Sequence, residues 1–153
     1  MLKSWMVIGA VTFLVAFGSG IIKPKDVKWF ARLRRPNWLT FEFLIPIIWT
    51  IVFICGAWSA YVVWERTQNW GLMAFYLLVE VTIVLYSPVM LWTRRLNFGT
   101  FIGGVGFILG LILAFFVMQV SGTAALLLVP YLLWSPIGTY TTWEMAKLNP
   151  ESA

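Results

Sequence analysis

The chain has no histidine, a single cysteine and few charged residues, and each shortage excludes a class of site. Only 11% of its 153 residues are charged, and Cys55 lies inside an apolar run. Without histidine, the common zinc and haem ligand sets and the Ser-His and Cys-His nucleophilic pairs cannot form. One cysteine cannot make an internal disulfide. We therefore expect no metal site, no intrinsic cofactor and no acid–base catalytic residues.

Apolar residues, by contrast, are abundant. They make up 61% of the chain, and the mean hydropathy is +0.86. A soluble domain of this length could not bury so much apolar surface, so the surrounding solvent is predicted to be lipid. The length allows one membrane domain, residues 1–153, without a separate soluble module.

Five continuous apolar runs predict an all-α bundle of five transmembrane helices. Helices of this kind need about 20 residues to cross the hydrocarbon layer, and the runs are not alternating as barrel strands are. A cationic, aromatic loop at residues 23–42 joins the first two runs, and we expect it to cover a cavity between helices. The runs occupy residues 5–22, 43–64, 72–92, 98–120 and 123–146.

The basic residues orient the chain. The isoelectric point near 9.7 suggests nucleic acid as a partner, but the charges lie at the ends of apolar runs, as in membrane helix flanks. Five spans place Lys3 and Arg66 on one side and the other nine basic residues on the opposite side. The positive-inside rule then predicts a cytoplasmic first loop and C-terminus, with the N-terminus on the opposite side.

The ten tryptophans form two groups. One group lies near predicted helix ends, as an interfacial belt requires: Trp5, Trp64, Trp70, Trp92 and Trp143. The second group, Trp38, Trp49, Trp58 and Trp134, lies in the loop or deeper in the helices. A deeply buried indole N–H needs a partner, from a ligand or another helix. We expect an aromatic cavity suited to a flat π-system.

Two prolines and one acid lie inside the predicted helices, where each is unusual. Pro130 and Pro136 interrupt the fifth run, which is compatible with a helix that lines a cavity and equally with a packed kink. Glu80 is the one acid at mid-membrane depth, where a carboxylate costs several kcal/mol unless it is paired or protonated. A protonated Glu80 that bonds a neighbouring helix is the preferred interpretation, ahead of a role in function.

Glycines of the fourth run allow close helix contact. Gly99 and Gly103, and Gly106 and Gly110, match the small-xxx-small pattern. Packing within the chain and a homodimer face predict the same residues, and we expect a contribution to a dimer.

Five motifs in order resemble the translocator protein (TspO) family, whose bacterial members are called tryptophan-rich sensory proteins. The resemblance covers nearly the whole chain. The motifs are RPNW at 35–38, PIIWT at 46–50, SP at 87–88, PYLLW at 130–134 and LNP at 148–150. It implies a five-helix bundle, often dimeric, whose cavity binds porphyrins and in some members sterols. It also implies that Trp49 and Trp134 correspond to two cavity tryptophans implicated in light-dependent porphyrin breakdown. The residues that we expect to bind the ligand are Arg35, Trp38, Trp49, Phe53, Tyr86, Tyr131, Trp134 and Gly138.

The chain departs from the family pattern in its third and fifth helices. Ile83 and Tyr86 replace the Asn and Trp of the helix-three motif, and Thr142 replaces the Asn of helix five. The proline pair that follows the loop tryptophan in the family is also missing. We expect a more apolar cavity wall.

Three functions are consistent with these features. The first is a membrane receptor or carrier for porphyrins, and also for sterols, in which the macrocycle stacks between Trp49 and Trp134 while Arg35 and Trp38 close the top. The second is an enzyme that oxidises bound porphyrin in light through the same tryptophan pair. The third is a lipid- or sterol-binding regulatory partner of a larger complex. We rank them in that order.

Overall fold

The computed structural model describes residues 3–17 and 24–153, and all its regular elements in those ranges are helices. Short 3-10 turns at Glu42–Leu44 and Pro150–Ser152 complete them. The α-helices are α1 (Ser4–Phe17), α2 (Pro24–Ala31), α3 (Ile45–Thr67), α4 (Trp70–Thr93), α5 (Leu96–Met118), α6 (Gly122–Leu127) and α7 (Val129–Leu148).

Four segments within the described ranges are long and apolar enough to span a membrane. They are Glu42–Thr67, Trp70–Thr93, Leu96–Met118 and Gly122–Leu148. The helix α1 has 14 residues, fewer than the roughly 20 that a crossing needs. The rest of the first predicted span, residues 18–22, lies outside the described residues. The all-α prediction agrees with these helices, and the fifth span stays a prediction.

The predicted loop contains a helix that the sequence analysis did not anticipate. Residues 23–42 were expected to be non-helical, but α2 occupies Pro24–Ala31 and leaves 32–41 as the irregular segment. Proline is favoured in the first turn of a helix, and Asp26 in that turn complements the helix dipole. Asp26 also pairs with Arg94 at the end of α4, at 3.6 Å, so α2 lies against that helix end.

The fifth predicted span is divided into α6 and α7. Ser121 caps α6 by accepting a hydrogen bond from the Ala124 N–H. The division falls at Leu128, and Pro130 stands in the first turn of α7, where its missing N–H leaves no hydrogen bond unmade. Pro136 lies within α7. The predicted interruption at Pro130 therefore corresponds to a helix boundary.

The glycines of α5 pack against α4 and α7 of the same chain. Added to the backbone, a Cβ at Gly106 would lie 2.8 Å from the Tyr131 hydroxyl, and one at Gly110 would lie 2.5 Å from Tyr131 Cε1. A Cβ at Gly99 would lie 2.8 Å from Met90 Sδ of α4 and 3.2 Å from Thr142 of α7, and one at Gly103 would collide with the Thr139 hydroxyl of α7. The expectation that these glycines contribute to a dimer is wrong for this face, because α7 already occupies it. A homodimer through another surface stays a prediction.

A buried serine joins α3, α4 and α6 through hydrogen bonds. The Ser59 hydroxyl of α3 lies 2.6 Å from the Tyr76 hydroxyl of α4 and donates to the Ala124 carbonyl of α6 at 2.7 Å. Ser59 is fully buried. Because lipid and core are both apolar, such polar contacts and close packing hold membrane helices together.

Candidate functional site: an aromatic cavity between four helices

A cavity of about 90 Å³ lies between α3, α4, α5 and α7. Five of the eight side chains that the sequence analysis selected as ligand-binding line it: Trp49, Tyr86, Tyr131, Trp134 and Gly138. They come from positions up to 89 residues apart in the chain, so the helix arrangement brings them together. The remaining lining residues include Thr82, Ile83, Ile102, Gly103, Gly106, Ser135, Thr139 and Thr141.

Trp134 carries the one buried side-chain polar atom, within the described residues, that has no hydrogen-bond partner. The residue is 6% exposed, and its Nε1 is the unpaired atom. A Cβ placed on Gly138, one turn later in α7, would lie 3.4 Å from this nitrogen. The absence of a side chain at Gly138 therefore leaves room beside the indole N–H. A buried unpaired donor costs about 1–3 kcal/mol, so the cavity favours an occupant that carries an acceptor.

Phe53 lies in a second, smaller void of about 30 Å³ and not in the tryptophan cavity. Ile83 and Tyr131 line both spaces, which places the void immediately deeper in the bundle. The ring of Phe53 is 6.2 Å from that of Trp49, centroid to centroid. Phe53 thus supports the cavity wall through Trp49.

The irregular segment 32–41 contacts the helices through two aromatic rings. Trp38 stacks on Tyr140 of α7 with ring centroids 5.9 Å apart, and it is 41% exposed. Phe41, which the sequence analysis did not select, meets Trp134 edge-on at 6.3 Å. Trp38 therefore lies on the outer side of α7, and Phe41 is the segment's ring against the cavity tryptophan.

Arg35 is engaged by the end of α2, by its own segment and by the 3-10 turn that follows the segment. Its Nη1 donates to the carbonyls of Phe30 and Leu33 at 2.6 and 2.7 Å, and its Nη2 pairs with Glu42 at 3.2 Å. The guanidinium also lies 4.6 Å from the centroid of the Phe30 ring. These contacts use three of the five guanidinium N–H groups, so Arg35 shapes the segment between α2 and α3.

Asn149 ties the same segment to the end of α7. Its Oδ1 accepts the Arg34 N–H at 2.8 Å, and its Nδ2 donates to the Arg34 carbonyl at 3.0 Å. The Nδ2 also donates to the carbonyl of Met145. Asn149 belongs to the LNP motif at 148–150, but its role as a tether could not be inferred from the motif alone.

The described residues hold no group of three or more His, Cys, Asp or Glu side chains that could bind a metal ion. Cys55 is half-buried in α3. The chemistry available in the cavity is stacking, hydrogen bonding to hydroxyls and one free indole N–H.

Comparison with known proteins decides the family. The model of the TspO/MBR family matches residues 7–148. The chain belongs to this family. It is 27% identical to a tryptophan-rich protein TspO of Bacillus cereus, over 97% of this chain and 99% of the relative. A TspO of Chlorobaculum tepidum is 30% identical over 89% of each chain, and a tryptophan-rich sensory protein of Cereibacter sphaeroides is 27% identical over 91% and 90%.

Membership of the TspO/MBR family, with the apolar helices, makes the chain a multi-pass integral membrane protein.

Two of its departures from the family pattern lie together in the structure. The hydroxyls of Tyr86 in α4 and Thr142 in α7 are hydrogen-bonded to each other. Ile83 lines the cavity as an apolar wall, as expected. The Thr142 hydroxyl also donates to the carbonyl of Gly138 at 3.1 Å, so Tyr86 is the donor of this pair and its O–H is not free for a ligand.

The tryptophans of this TspO-family chain differ in their surroundings. Trp5, Trp70, Trp92 and Trp143 are exposed, as belt residues are. Trp58, for which a buried partner was expected, is 59% exposed on the outer face of α3. That expectation is wrong, because the buried side of this helix carries Val52, Ser59, Ala60 and Val63.

Proposed function

We propose that this TspO-family protein is a membrane receptor or carrier that binds a porphyrin against Trp134. The observation that carries the proposal is the buried, unpaired indole N–H of Trp134 beside a cavity that Trp49 also lines. Large planar π-systems stack favourably on indoles, and a porphyrin offers nitrogen and carboxylate acceptors.

The volume of the cavity sets a condition on this function. Sites for small molecules measure about 300–1,000 Å³, whereas this cavity measures about 90 Å³. A macrocycle therefore enters only if part of the wall moves. The edge-on ring of Phe41 is the contact that the irregular segment makes with Trp134, so we propose that residues 32–41 cover the cavity and are displaced on binding.

Two arginines other than Arg35 could bind the porphyrin carboxylates. Arg32 and Arg34 are exposed on the same segment. Arginine binds carboxylates through paired hydrogen bonds. In this proposal Arg35 shapes the covering segment, and its two neighbours attract the propionates.

The test is a titration of protoporphyrin into the detergent-purified protein in the dark, followed by porphyrin absorption. The double variant Trp49→Phe/Trp134→Phe should bind about 5–160 times more weakly, because each lost indole contact contributes about 0.5–1.5 kcal/mol. Trp58→Phe is the matched control, since that indole faces outward and should leave affinity unchanged. Equal affinity in the double variant and the wild type would overturn the proposal.

Light-dependent oxidation of the bound porphyrin is the second candidate, because Trp49 and Trp134 line one cavity. Dissolved oxygen would be the oxidant. Loss of porphyrin absorption on illumination that requires both indoles would favour it. If porphyrin does not bind at all, sterol or lipid binding in a regulatory membrane partner is the next function to test.

We propose further that the first apolar run of the sequence forms a fifth span, with the irregular segment and the C-terminus cytoplasmic. The charge asymmetry between the two sides supports this orientation. A cysteine at Arg32, in a Cys55→Ser background, should react with an impermeant maleimide in inverted vesicles only. Reaction in intact cells would reverse the orientation.

A further inference from the structure

A larger groove lies on another side of the bundle, away from the tryptophan cavity. It measures about 530 Å³ and opens between α1, α3 and α4. None of its residues lines the cavity that contains Trp134. Its lining residues are Ser4, Val7, Ile8, Val11, Thr12, Ala60, Trp64, Trp70, Met73, Ala74, Tyr76, Leu77 and Glu80.

The groove has aromatic rings at one end and a carboxyl group at the other. Trp64 and Trp70 meet edge-on at 4.8 Å where α3 ends and α4 begins. Glu80 follows Trp70 by ten residues, which is about 15 Å along the helix axis at 1.5 Å per residue. A ligand in the groove would therefore extend from the helix ends to mid-membrane depth.

Glu80 bonds a neighbouring helix, as the sequence analysis expects, but the Thr12 hydroxyl of α1 is the donor, at 3.1 Å from Oε1, so this contact does not require a protonated carboxyl. The ion pairs among the described residues use Asp26, Glu42 and Glu144. No lysine or arginine occurs in the sequence between 67 and 93, so α4 itself offers no cation to Glu80. A carboxylate at this depth is costly unless a positive charge or further donors reach it.

We propose that this groove binds a lipophilic organic cation. Glu80 supplies the counter-charge, and the indoles of Trp64 and Trp70 attract the cation electrostatically and pack against its apolar body. The apolar residues of α1 and α4 between them exclude water, which strengthens the attraction between the charges. The proposal does not depend on porphyrin binding.

The test uses tetraphenylphosphonium as the cation and tetraphenylborate as its anionic counterpart of nearly the same shape. Equilibrium dialysis of the labelled ions against protein in detergent, with empty micelles as the blank, measures binding. We expect saturable binding of the phosphonium and none of the borate. Glu80→Gln should weaken phosphonium binding at least about tenfold, because a buried ion pair loses one partner.

Glu151→Gln is the matched control, since Glu151 is an exposed acid in the 3-10 turn after α7 and does not line the groove. It should leave the affinity within about twofold, because an exposed carboxylate is screened by water. Ala74→Trp keeps Glu80 but fills the groove, so it should abolish binding even if Glu80→Gln folds poorly. The Trp49→Phe/Trp134→Phe variant separates the two sites, because it should lower porphyrin binding alone.

Two results would overturn the proposal. One is equal retention of phosphonium and borate, which would reduce the interaction to partition into an apolar surface. The other is unchanged phosphonium affinity in either Glu80→Gln or Ala74→Trp.

Discussion

The tether at Asn149 predicts how firmly the irregular segment is held over the bundle. The Asn149 side chain makes both an acceptor and a donor contact with the backbone of Arg34, 115 positions earlier in the chain. Asn149→Ala removes both hydrogen bonds. Each such bond contributes about 0.5–1.5 kcal/mol net, and solvent competes at this partly exposed site, so we expect a loss of about 1–2 kcal/mol. That corresponds to about a 5–30-fold rise in the open population of the segment.

Hydrogen–deuterium exchange of peptides within residues 32–41 measures this opening directly, because exchange follows the open population when reclosing is fast. The amide N–H of Arg34 is itself one of the tethered donors. Asn149→Asp should fall between wild type and Asn149→Ala, because it keeps the acceptor oxygen and loses the donor. Asn97→Ala, at an exposed asparagine in the first turn of α5, is the matched control.

An unchanged exchange rate in Asn149→Ala would refute the reasoning, since the segment would then be held by its aromatic contacts alone. An equal rise in Asn97→Ala would refute it as well, because the effect would be general to the helix ends. The expected result is a rise confined to residues 32–41 in the Asn149 variants.

Two further predictions concern helix packing, and thermal unfolding in detergent checks both. Gly110→Ala should lower the free energy of unfolding by about 1–3 kcal/mol, because the new Cβ would lie 2.5 Å from Tyr131. Gly104→Ala is the control: a Cβ there would have no neighbour within 4 Å, so the free energy of unfolding should stay the same or rise. Equal effects would contradict the packing of α5 on α7. Ser59→Ala should also cost about 1–3 kcal/mol, because it leaves the buried hydroxyl of Tyr76 without its partner. An unfolding temperature equal to that of the wild type would argue against this network.

Helix positions were the predictable part of the fold. The long spans α3, α4 and α5 lie within about three residues of the runs predicted at 43–64, 72–92 and 98–120. Continuous apolar stretches carry that information because their length must match the hydrocarbon thickness. The helix α2 was missed because it has only eight residues and three of them are charged, so it lacks the long apolar run of a membrane span. The signals that could have found it were Pro24 at its start and Asp26 in its first turn.

The direction in which each side chain faces was much less predictable. A soluble helix shows its buried face by an apolar stripe, but α3 and α5 are apolar all round, because lipid and helix neighbours favour the same residues. For this reason Trp58 was assigned to the interior, although it faces outward. For the same reason the glycines of α5 could not be divided between packing and dimer faces. Depth in the predicted spans selected Trp49 and Trp134 together with Trp58, and the motifs of the family then singled out Trp49 and Trp134.

The small cavity links the tether to the proposed ligand. If porphyrin binds only when residues 32–41 have moved, its apparent dissociation constant is the intrinsic one divided by the open fraction. Asn149→Ala should then bind porphyrin more tightly and associate faster, by up to the same factor of about 5–30. Trp49→Phe/Trp134→Phe acts in the opposite direction, because it removes contacts made by the bound macrocycle. Titration and stopped-flow absorption of both variants therefore separate opening of the segment from stacking of the porphyrin on the tryptophans. Weaker binding in Asn149→Ala would contradict the opening step, because it would show that the segment contributes to the site in its closed position.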